Sequence, residues 1–500
     1  MPFDFDAIVI GSGAGGAAFA HQFAAAGKNV LVVERGKRAD VTRTATAERQ
    51  TLIDKEPYDD RSIEVNETPA RLYMGGVLGG GTSLFGAALL RPADDDFHPG
   101  KHYGSRLGRE LWDWPIAYDE LRPFYDEAEE LFALAGTDDE EFAPLNRPRR
   151  LAADVIPFAP VNQKLISANR AGGLRPFRLP LAIDASRCAR CDMCAGFLCP
   201  HGARKSAAQL LDAAAATGKL QLMVNTEVER LTTSSDGQID GVVVRQRDAE
   251  KQQKRELLRA RCFALAAGAI GSPALLLRSG IDGPHLGRNY MMHYSPIAVG
   301  IFARSTGANE TFVKQVGFAD FYYGTADCPH KLGLVQSLPA PGPLMLAKSG
   351  LKRWPRCALK FLRKRMLPLA GIVEDLPDPA NQVYVKPDGT VGLRHRFSPF
   401  DIERGRALGL EMCRILRRAG ALVCSSRAFP SLEHVAHQCG TLRFGRDPRH
   451  AVVDADCRLF GRVNLFVTDG SVLPTSLGVG PALTIVANSL RVARIALNTI

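Results

Sequence analysis

The sequence predicts an α/β fold in which a parallel sheet, buried on both faces, is joined to a second α+β domain built on an antiparallel sheet. Residues 7–10 form a short, wholly apolar run, which is typical of a strand buried on both faces. Two later apolar runs, 262–267 and 464–468, also end on glycine-containing turns. Residues 381–397 form two short runs around a Pro-Asp-Gly turn, which indicates an antiparallel hairpin. We expect a discontinuous first domain (1–295 and 436–500) and a second domain over 296–435.

The turn after the first strand has the Gly-x-Gly-x-x-Gly spacing of a dinucleotide-binding (Rossmann-like) site, followed by an alanine-rich helix. Gly11 allows the tight turn, Gly13 lets backbone N–H groups approach a pyrophosphate, and Gly16 allows close packing of helix and strand. Glu34, at the tip of the next apolar strand, can accept hydrogen bonds from ribose hydroxyls. This context favours a bound ADP moiety over an ordinary glycine-rich turn. It leaves open whether the ADP belongs to FAD or NAD.

A second glycine-rich stretch occurs at residues 75–86, in an apolar setting. Such a backbone can lie against a flat ligand with its N–H groups exposed. A glycine-rich loop without a ligand is the alternative interpretation. The segments 220–226 and 241–244 indicate strands of a meander inserted in the α/β domain.

Composition narrows the class of protein. The net charge is +10, yet no nucleic-acid-binding motif is present, so we expect no nucleic acid as a partner. No run of 18 apolar residues occurs, and strand one begins almost at once, so we expect a cytoplasmic protein. In that compartment the 11 cysteines are better explained as thiols or metal ligands than as disulfides.

Four blocks of residues resemble the glucose-methanol-choline (GMC) flavoprotein oxidoreductases, in the family's order, from residue 6 to about 495. These blocks are Gly11-x-Gly13-x-x-Gly16 with Glu34; Gly79-Gly80-Gly81-Thr82-Ser83; residues 266–276; and His437-Gln-Cys-Gly440-Thr441 with residues 469–474 and 481–484. The resemblance implies FAD as the cofactor. The absence of a second Gly-x-Gly-x-x-Gly agrees, because an NAD-linked flavin reductase usually needs a second nucleotide-binding fold.

The resemblance also implies which residues contact FAD. The backbone at Val228 would hold the adenine, and the turn at Asp469 and Gly470 would lie along the ribityl chain and pyrophosphate. The N-terminus of the last helix, at Ala482 and Leu483, would face the pyrimidine end of the flavin, where helix N–H groups stabilise negative charge. The remaining expected contacts are Gly80, Gly81, Thr82, Ser83 and Gly268. Leu84 and Phe85 stand where some members carry a flavin-linked histidine, so we expect non-covalent FAD.

His437 matches the first of the two active-site residues that the family places opposite the flavin. A histidine near neutral pKa can accept the proton of an alcohol as hydride leaves its carbon, so His437 is the candidate base; a structural loop histidine is the alternative. The family's second residue, usually His or Asn, should stand at Gly480 and is missing. Either other residues orient the substrate, or the gap widens the pocket for a bulky substrate, or the chain has lost alcohol oxidation; His293 would line the cavity.

Residues 348–366 are rich in Lys and Arg, within a stretch, 328–373, that contains no Asp or Glu. An amphipathic basic helix that starts at Pro355 is predicted by the helical spacing of Trp354, Ala358, Phe361 and Leu362. It could meet an anionic membrane or an acidic electron-acceptor protein, or it could simply be a solvated cationic face.

Four cysteines, Cys188, Cys191, Cys194 and Cys199, fall in a loop near 185–205 at C-x₂-C-x₂-C-x₄-C-P spacing. One gap is longer than in ferredoxin-type runs. An iron–sulfur cluster is the leading interpretation, which some GMC sugar dehydrogenases also suggest; structural zinc and disulfides or free thiols are alternatives. A cluster would favour a dehydrogenase over an oxidase.

We therefore predict an FAD-dependent enzyme that oxidises a CH–OH group of an alcohol or sugar-like small molecule. A flavoenzyme with non-alcohol chemistry and a flavin-binding electron-relay subunit are the alternative functions.

Overall fold

The computed structural model describes residues 3–41, 47–137, 141–152, 154–191, 193–247, 255–428, 433–435 and 437–499. The strands are β1 (Phe5–Ile10), β2 (Val30–Val33), β3 (Ser62–Val65), β4 (Thr68–Arg71), β5 (Phe177–Arg178), β6 (Leu220–Met223), β7 (Thr226–Thr233), β8 (Ile239–Gln246), β9 (Arg255–Leu258), β10 (Ala260–Leu265), β11 (Pro296–Ile301), β12 (Val316–Phe318), β13 (Leu334–Ser337), β14 (Met366–Ile372), β15 (Gln382–Val385), β16 (Val391–Arg394), β17 (Val423–Ala428) and β18 (Leu465–Val467). The α-helices are α1 (Ala14–Ala25), α2 (Gly100–Tyr103), α3 (Tyr118–Leu131), α4 (Pro160–Ala171), α5 (Ala207–Ala215), α6 (Gly268–Arg278), α7 (Pro343–Leu346), α8 (Arg356–Arg363), α9 (Pro399–Arg418) and α10 (Ala482–Leu497).

The predicted parallel sheet is confirmed, with five strands in the order β18-β10-β1-β2-β6. All four residues of β2 and the last four of β1 are buried, because helices cover the parallel sheet. This is why these strands consist of apolar residues. The first and last helices pack against each other, and the Ser489 hydroxyl in α10 donates to the Gly15 carbonyl in α1 at 2.6 Å. The two ends of the chain therefore build one nucleotide-binding layer.

The predicted antiparallel sheet is also confirmed, with six strands in the order β17-β11-β14-β13-β12-β5. The helix α9 packs on it and begins with a capping box, in which Ser398 and Asp401 bond each other's backbone N–H. Five of its strands lie within 296–428, and β5 joins from residues 177–178. The domain limits remain a prediction, and residue 436, the second boundary, lies outside the described residues.

One sequence prediction needs correction. The meander is the three-stranded sheet β7-β8-β9, whereas residues 220–223 form β6, the edge of the parallel sheet; Asn225, at φ +52°, turns the chain between them. The basic segment forms the predicted helix, α8 (Arg356–Arg363), with Pro355 as its N-cap; before it, Ala347–Leu351 form a separate π-helical stretch in which Gly350 is left-handed (φ +114°). The hairpin β15–β16 forms as predicted, and β16 pairs with β3, which pairs with β4. Among the described residues, no helix is both long and apolar enough to cross a membrane.

Candidate active site

The first glycine turn joins β1 to α1 at the carboxyl edge of the parallel sheet. Gly11 has φ +105°, and a β-carbon on Gly16 would stand 2.1 Å from the Gly11 carbonyl oxygen, so both positions need glycine for the turn itself. Gly13 is different: a β-carbon there would meet no atom within 4 Å. The open space at Gly13 therefore lies at the N-terminus of α1, where unpaired backbone N–H groups attract a phosphate.

Glu34 stands at the tip of β2 beside this turn. Its carboxylate accepts hydrogen bonds from the backbone N–H of Ser12 at 2.9 Å and of Gly36 at 2.5 Å, and from the Ser12 hydroxyl at 2.5 Å. A carboxylate has about four acceptor sites, so one remains for a ligand hydroxyl. These contacts fix the orientation of the predicted ribose-binding group.

The second glycine run lies directly against the first. A β-carbon on Gly80 would stand 3.2 Å from the Gly13 Cα, and the Gly79 N–H donates to the Ser12 hydroxyl at 2.9 Å. The Thr82 hydroxyl donates to the Gly79 carbonyl and accepts from the N–H of Ala207, which starts α5. The Ser83 hydroxyl donates to the Leu78 carbonyl at 2.7 Å. Both hydroxyls therefore stabilise the loop through hydrogen bonds within the protein. A ligand at this loop would therefore contact the loop's backbone.

A buried carboxylate, Asp469, ties the third and fourth blocks together. It accepts from the Gly268 N–H at 2.8 Å and from the Ser272 hydroxyl at 2.5 Å, and its other oxygen accepts from the N–H and hydroxyl of Ser471. Burial raises the pKa of this carboxyl above its usual value. The next residue, Gly470, packs so closely that a β-carbon would stand 2.7 Å from the Gln438 carbonyl oxygen.

The remaining predicted cofactor contacts surround the same region. Ala482 and Leu483 are the first residues of α10. Val228 lies in β7, where it pairs with Val244 just before a register shift in the strand. A β-carbon on Gly81 or Gly268, as on Gly13, would meet nothing within 4 Å. These features fit FAD: several glycines border open space, two helix N-termini can bind negative charge, and the Glu34 carboxylate can bind the ribose.

His293 and His437 come together because their two segments form a short antiparallel bridge. Met291 and Cys439 exchange both backbone hydrogen bonds, each at 3.0 Å. In an antiparallel register, the residue two after Met291 faces the residue two before Cys439. The imidazoles accordingly meet, with 2.8 Å between the two Nδ1 atoms. His437 also has φ +60°, a left-handed conformation that a residue with a side chain adopts at a cost and that is frequent at active sites.

The hydrogen-bond partners of His293 fix where the protons lie. Its Nε2 is 2.7 Å from the Leu477 carbonyl oxygen, which only accepts, so His293 carries its proton on Nε2. A neutral His293 then accepts at Nδ1, and His437 must donate from Nδ1. Burial lowers the pKa of His293 to about 4, which agrees with a neutral ring. The Nε2 of His437 is therefore left with a lone pair.

The surroundings of His437 keep this imidazole neutral as well. The pKa of His437 lies well below its usual value because the ring lies deep in the protein and, secondly, because His293 and Lys314 are close. The residue is nevertheless solvent-exposed, since it faces open space. A β-carbon on Gly480 would stand 3.3 Å from the His437 Nε2 and would meet no atom outside this ring within 4 Å. The missing side chain at Gly480 thus leaves open space at the lone pair. His434, by contrast, stacks on Tyr73 with ring centroids 5.0 Å apart.

Lys314 is a site residue that sequence reasoning missed. A β-carbon on Gly86, three residues after Ser83, would stand 2.7 Å from the Lys314 Nζ. Burial lowers the pKa of this lysine to about 8. No sequence motif marks Lys314, since only the fold brings it near His437.

The cysteine loop gives no support to a metal centre. Among the residues that the structure describes, no three His, Cys, Asp or Glu side chains are grouped to hold a metal ion. All of Cys188, Cys191, Cys194 and Cys199 are free thiols, and burial raises the pKa of Cys194 to about 12. Arg204 instead organises the loop by donating to the carbonyls of Cys194 and Phe197. The iron–sulfur and zinc interpretations stay predictions.

Known proteins resemble this chain over nearly its whole length. It is 31% identical to 6'''-hydroxyparomomycin C oxidase of Streptomyces lividus and 29% identical to paromamine 6'-oxidase of Streptomyces fradiae, each over 98% of this chain and 91% of the relative. It is 24% identical to 2-methyl-1,2-propanediol dehydrogenase of Mycolicibacterium austroafricanum, over 97% of this chain and 94% of the relative.

The fold has solved relatives. The crystal structure of pyridoxine 4-oxidase from Mesorbium loti covers 99% of each chain with a TM-score of 0.69 and 20% identity. Two sequence profiles, both described as GMC oxidoreductase, match residues 5–295 and 380–489. The chain belongs to the GMC oxidoreductases, a family of FAD-binding flavoproteins.

Proposed function

We propose that this protein oxidises a CH–OH group of a sugar-like alcohol, with His437 as the base. The observation that carries the proposal is the His293–His437 pair held by the Leu477 carbonyl, which assigns a lone pair to the His437 Nε2 beside open space at Gly480. FAD, when bound, supplies the acceptor for the hydride that leaves the alcohol carbon. The protein's own task is then to hold the hydroxyl and remove its proton.

His437 performs this task through its two nitrogens. A substrate hydroxyl in the space beside Gly480 donates to the Nε2 lone pair and passes its proton there. The Nδ1–H stays bonded to His293, whose other nitrogen is held by the Leu477 carbonyl, so the ring cannot turn away. General base assistance of this kind contributes about 10²–10⁴ in rate.

The substrate class follows from the relatives and from the pocket. The relative from Streptomyces lividus is named as an oxidase of 6'''-hydroxyparomomycin C, and the relative from Streptomyces fradiae as an oxidase of paromamine. Both align along 98% of this chain. A glycine where the family usually places His or Asn leaves room for a bulky, ring-containing alcohol. We therefore favour a sugar-like substrate over a small aliphatic alcohol.

The electron acceptor is a separate question. Relatives are named both as oxidases and as dehydrogenases. Our preference for a dehydrogenase rests on the cysteine loop alone. Oxygen consumption during turnover decides between them, because an oxidase produces peroxide at the rate of substrate loss and a dehydrogenase does not.

Paired variants test the base. His437→Ala should retain FAD and lose about 10² or more of the rate of flavin reduction by substrate. His434→Ala is the matched control, since it removes a nearby imidazole that stacks on Tyr73, and should reduce at close to the parent rate. Equal rates in the two variants would contradict the assignment of His437.

A further inference from the structure

A cationic surface on the antiparallel-sheet domain has no role in the proposed reaction. Its cations are solvent-exposed and, among the described residues, none has a carboxylate partner. We call it the basic face: Lys352, Arg353, Trp354, Arg356, Lys360, Phe361 and Lys364. Its five cations equal half of the net charge of +10. Because 328–373 contains no Asp or Glu, nothing within this stretch offsets them.

Two aromatic side chains stand on the basic face among these cations. Trp354 is 50% exposed and Phe361 is 60% exposed. The Arg365 guanidinium lies 3.7 Å from the centre of the Phe361 ring, so a cation supports the exposed ring from one side. Exposing large aromatic side chains to water costs free energy. Two of them within residues 354–361, among five cations, indicate a contact surface rather than scattered surface residues.

The fold does not need these aromatics. The other side of α8 already buries Leu359, which is 2% exposed, in a small cluster with Leu346 and Met366. Arg356, Lys360 and Lys364 follow at i, i+4 and i+8, and therefore share the outward side with Phe361. The helix is held to the protein by one side and presents basic and aromatic groups on the other.

We propose that the basic face docks on the surface of an anionic lipid bilayer. Lys and Arg are attracted by anionic headgroups, while Trp and Phe enter the interface between headgroups and acyl chains. This pairing favours a bilayer over an acidic protein, for which the charges alone would suffice. Lys348, which is not part of the basic face, pairs with Glu433 at 2.7 Å.

Vesicle co-sedimentation of the FAD-loaded full chain tests the proposal. We expect binding to vesicles of phosphatidylcholine with phosphatidylglycerol, at least about tenfold tighter than to phosphatidylcholine alone, and weaker in high salt. Lys360→Glu with Lys364→Glu should lower that affinity about tenfold or more. The matched control is Lys164→Glu with Lys219→Glu, which makes the same charge change at two exposed lysines elsewhere and should bind like the parent.

A second pair of variants separates a bilayer from an acidic protein. Trp354→Ala with Phe361→Ala should weaken vesicle binding, whereas Phe3→Ala, at another half-exposed aromatic, should not. Retained flavin absorbance shows that each variant is folded. Equal binding to neutral and anionic vesicles, or equal loss in the lysine control, would overturn the proposal. Unchanged vesicle binding without the two aromatics would also overturn it, because attraction by charge alone does not distinguish a bilayer from another anionic partner.

Discussion

Replacement of His293 tests whether this residue sets the proton position on His437. In His293→Leu, the Nδ1–H of His437 loses its acceptor, 2.8 Å away, and the Leu477 carbonyl loses its donor. A hydrogen bond of this kind contributes about 0.5–1.5 kcal/mol, which corresponds to a shift of about two- to thirteen-fold in the tautomer ratio. Flavin reduction should slow by a similar factor, which is less than the loss in His437→Ala.

His293→Asn is the matched variant. Its Oδ1 can stand where Nδ1 stands in the parent and accept from His437, so we expect most of the rate to return. Nitrogen-15 NMR of the labelled imidazoles reports the tautomer directly, and anaerobic stopped-flow reports the rate. The parent should show the Nδ1–H form of His437, and His293→Leu should show a mixture. An unchanged tautomer in His293→Leu, or a rate loss as large as in His437→Ala, would refute this role.

The other predictions concern the cofactor, the pH dependence and the core. Gly13→Val should fold but fail to bind FAD, because its side chain would enter only the open space where the ligand binds. Gly16→Val should destabilise the fold, because its side chain would clash with the Gly11 carbonyl. FAD content and melting temperature distinguish the two variants. Acid precipitation of the parent should release intact FAD into the supernatant, and flavin in the pellet would show a covalent link. Lys314→Met removes a charge that lowers the pKa of His437, so activity should be lost at a higher pH on acidification; an unmoved acid limb would contradict this. Lys331→Met should lower the free energy of unfolding by about 3–5 kcal/mol, since it leaves the Asp96 and Glu374 carboxylates buried without their cation. Lys364→Met, on the surface, is the control and should leave the free energy of unfolding nearly unchanged.

Local patterns in the sequence predicted the parts of the fold that depend on local chemistry. The turn at Gly11 and Gly16 needs only a strand, glycines and a helix in succession, and the structure has all three. The β15–β16 hairpin likewise depends on its own turn. By contrast, β6 was placed in the meander because its pairing with β2 links residues 30–33 to 220–223, which no local signal reveals.

The candidate site shows the same division. His437 was found from its block, but its pairing with His293 depends on the bridge between Met291 and Cys439, far apart in the chain. The basic helix depends on local signals, since Pro355 and the apolar spacing after it predict the helix that the structure has at Arg356–Arg363. The spacing of the four cysteines suggests a metal centre but does not determine where the thiols point; the metal centre stays a prediction, since no such grouping is found among the described residues.

Anaerobic reduction of the bound flavin by a panel of alcohols tests the central claim most directly. The account predicts that a sugar-like alcohol bleaches the flavin absorbance of the parent, and that His437→Ala, with FAD still bound, is slower by about 10² or more. A parent protein with stoichiometric FAD that no alcohol in the panel reduces would contradict the claim.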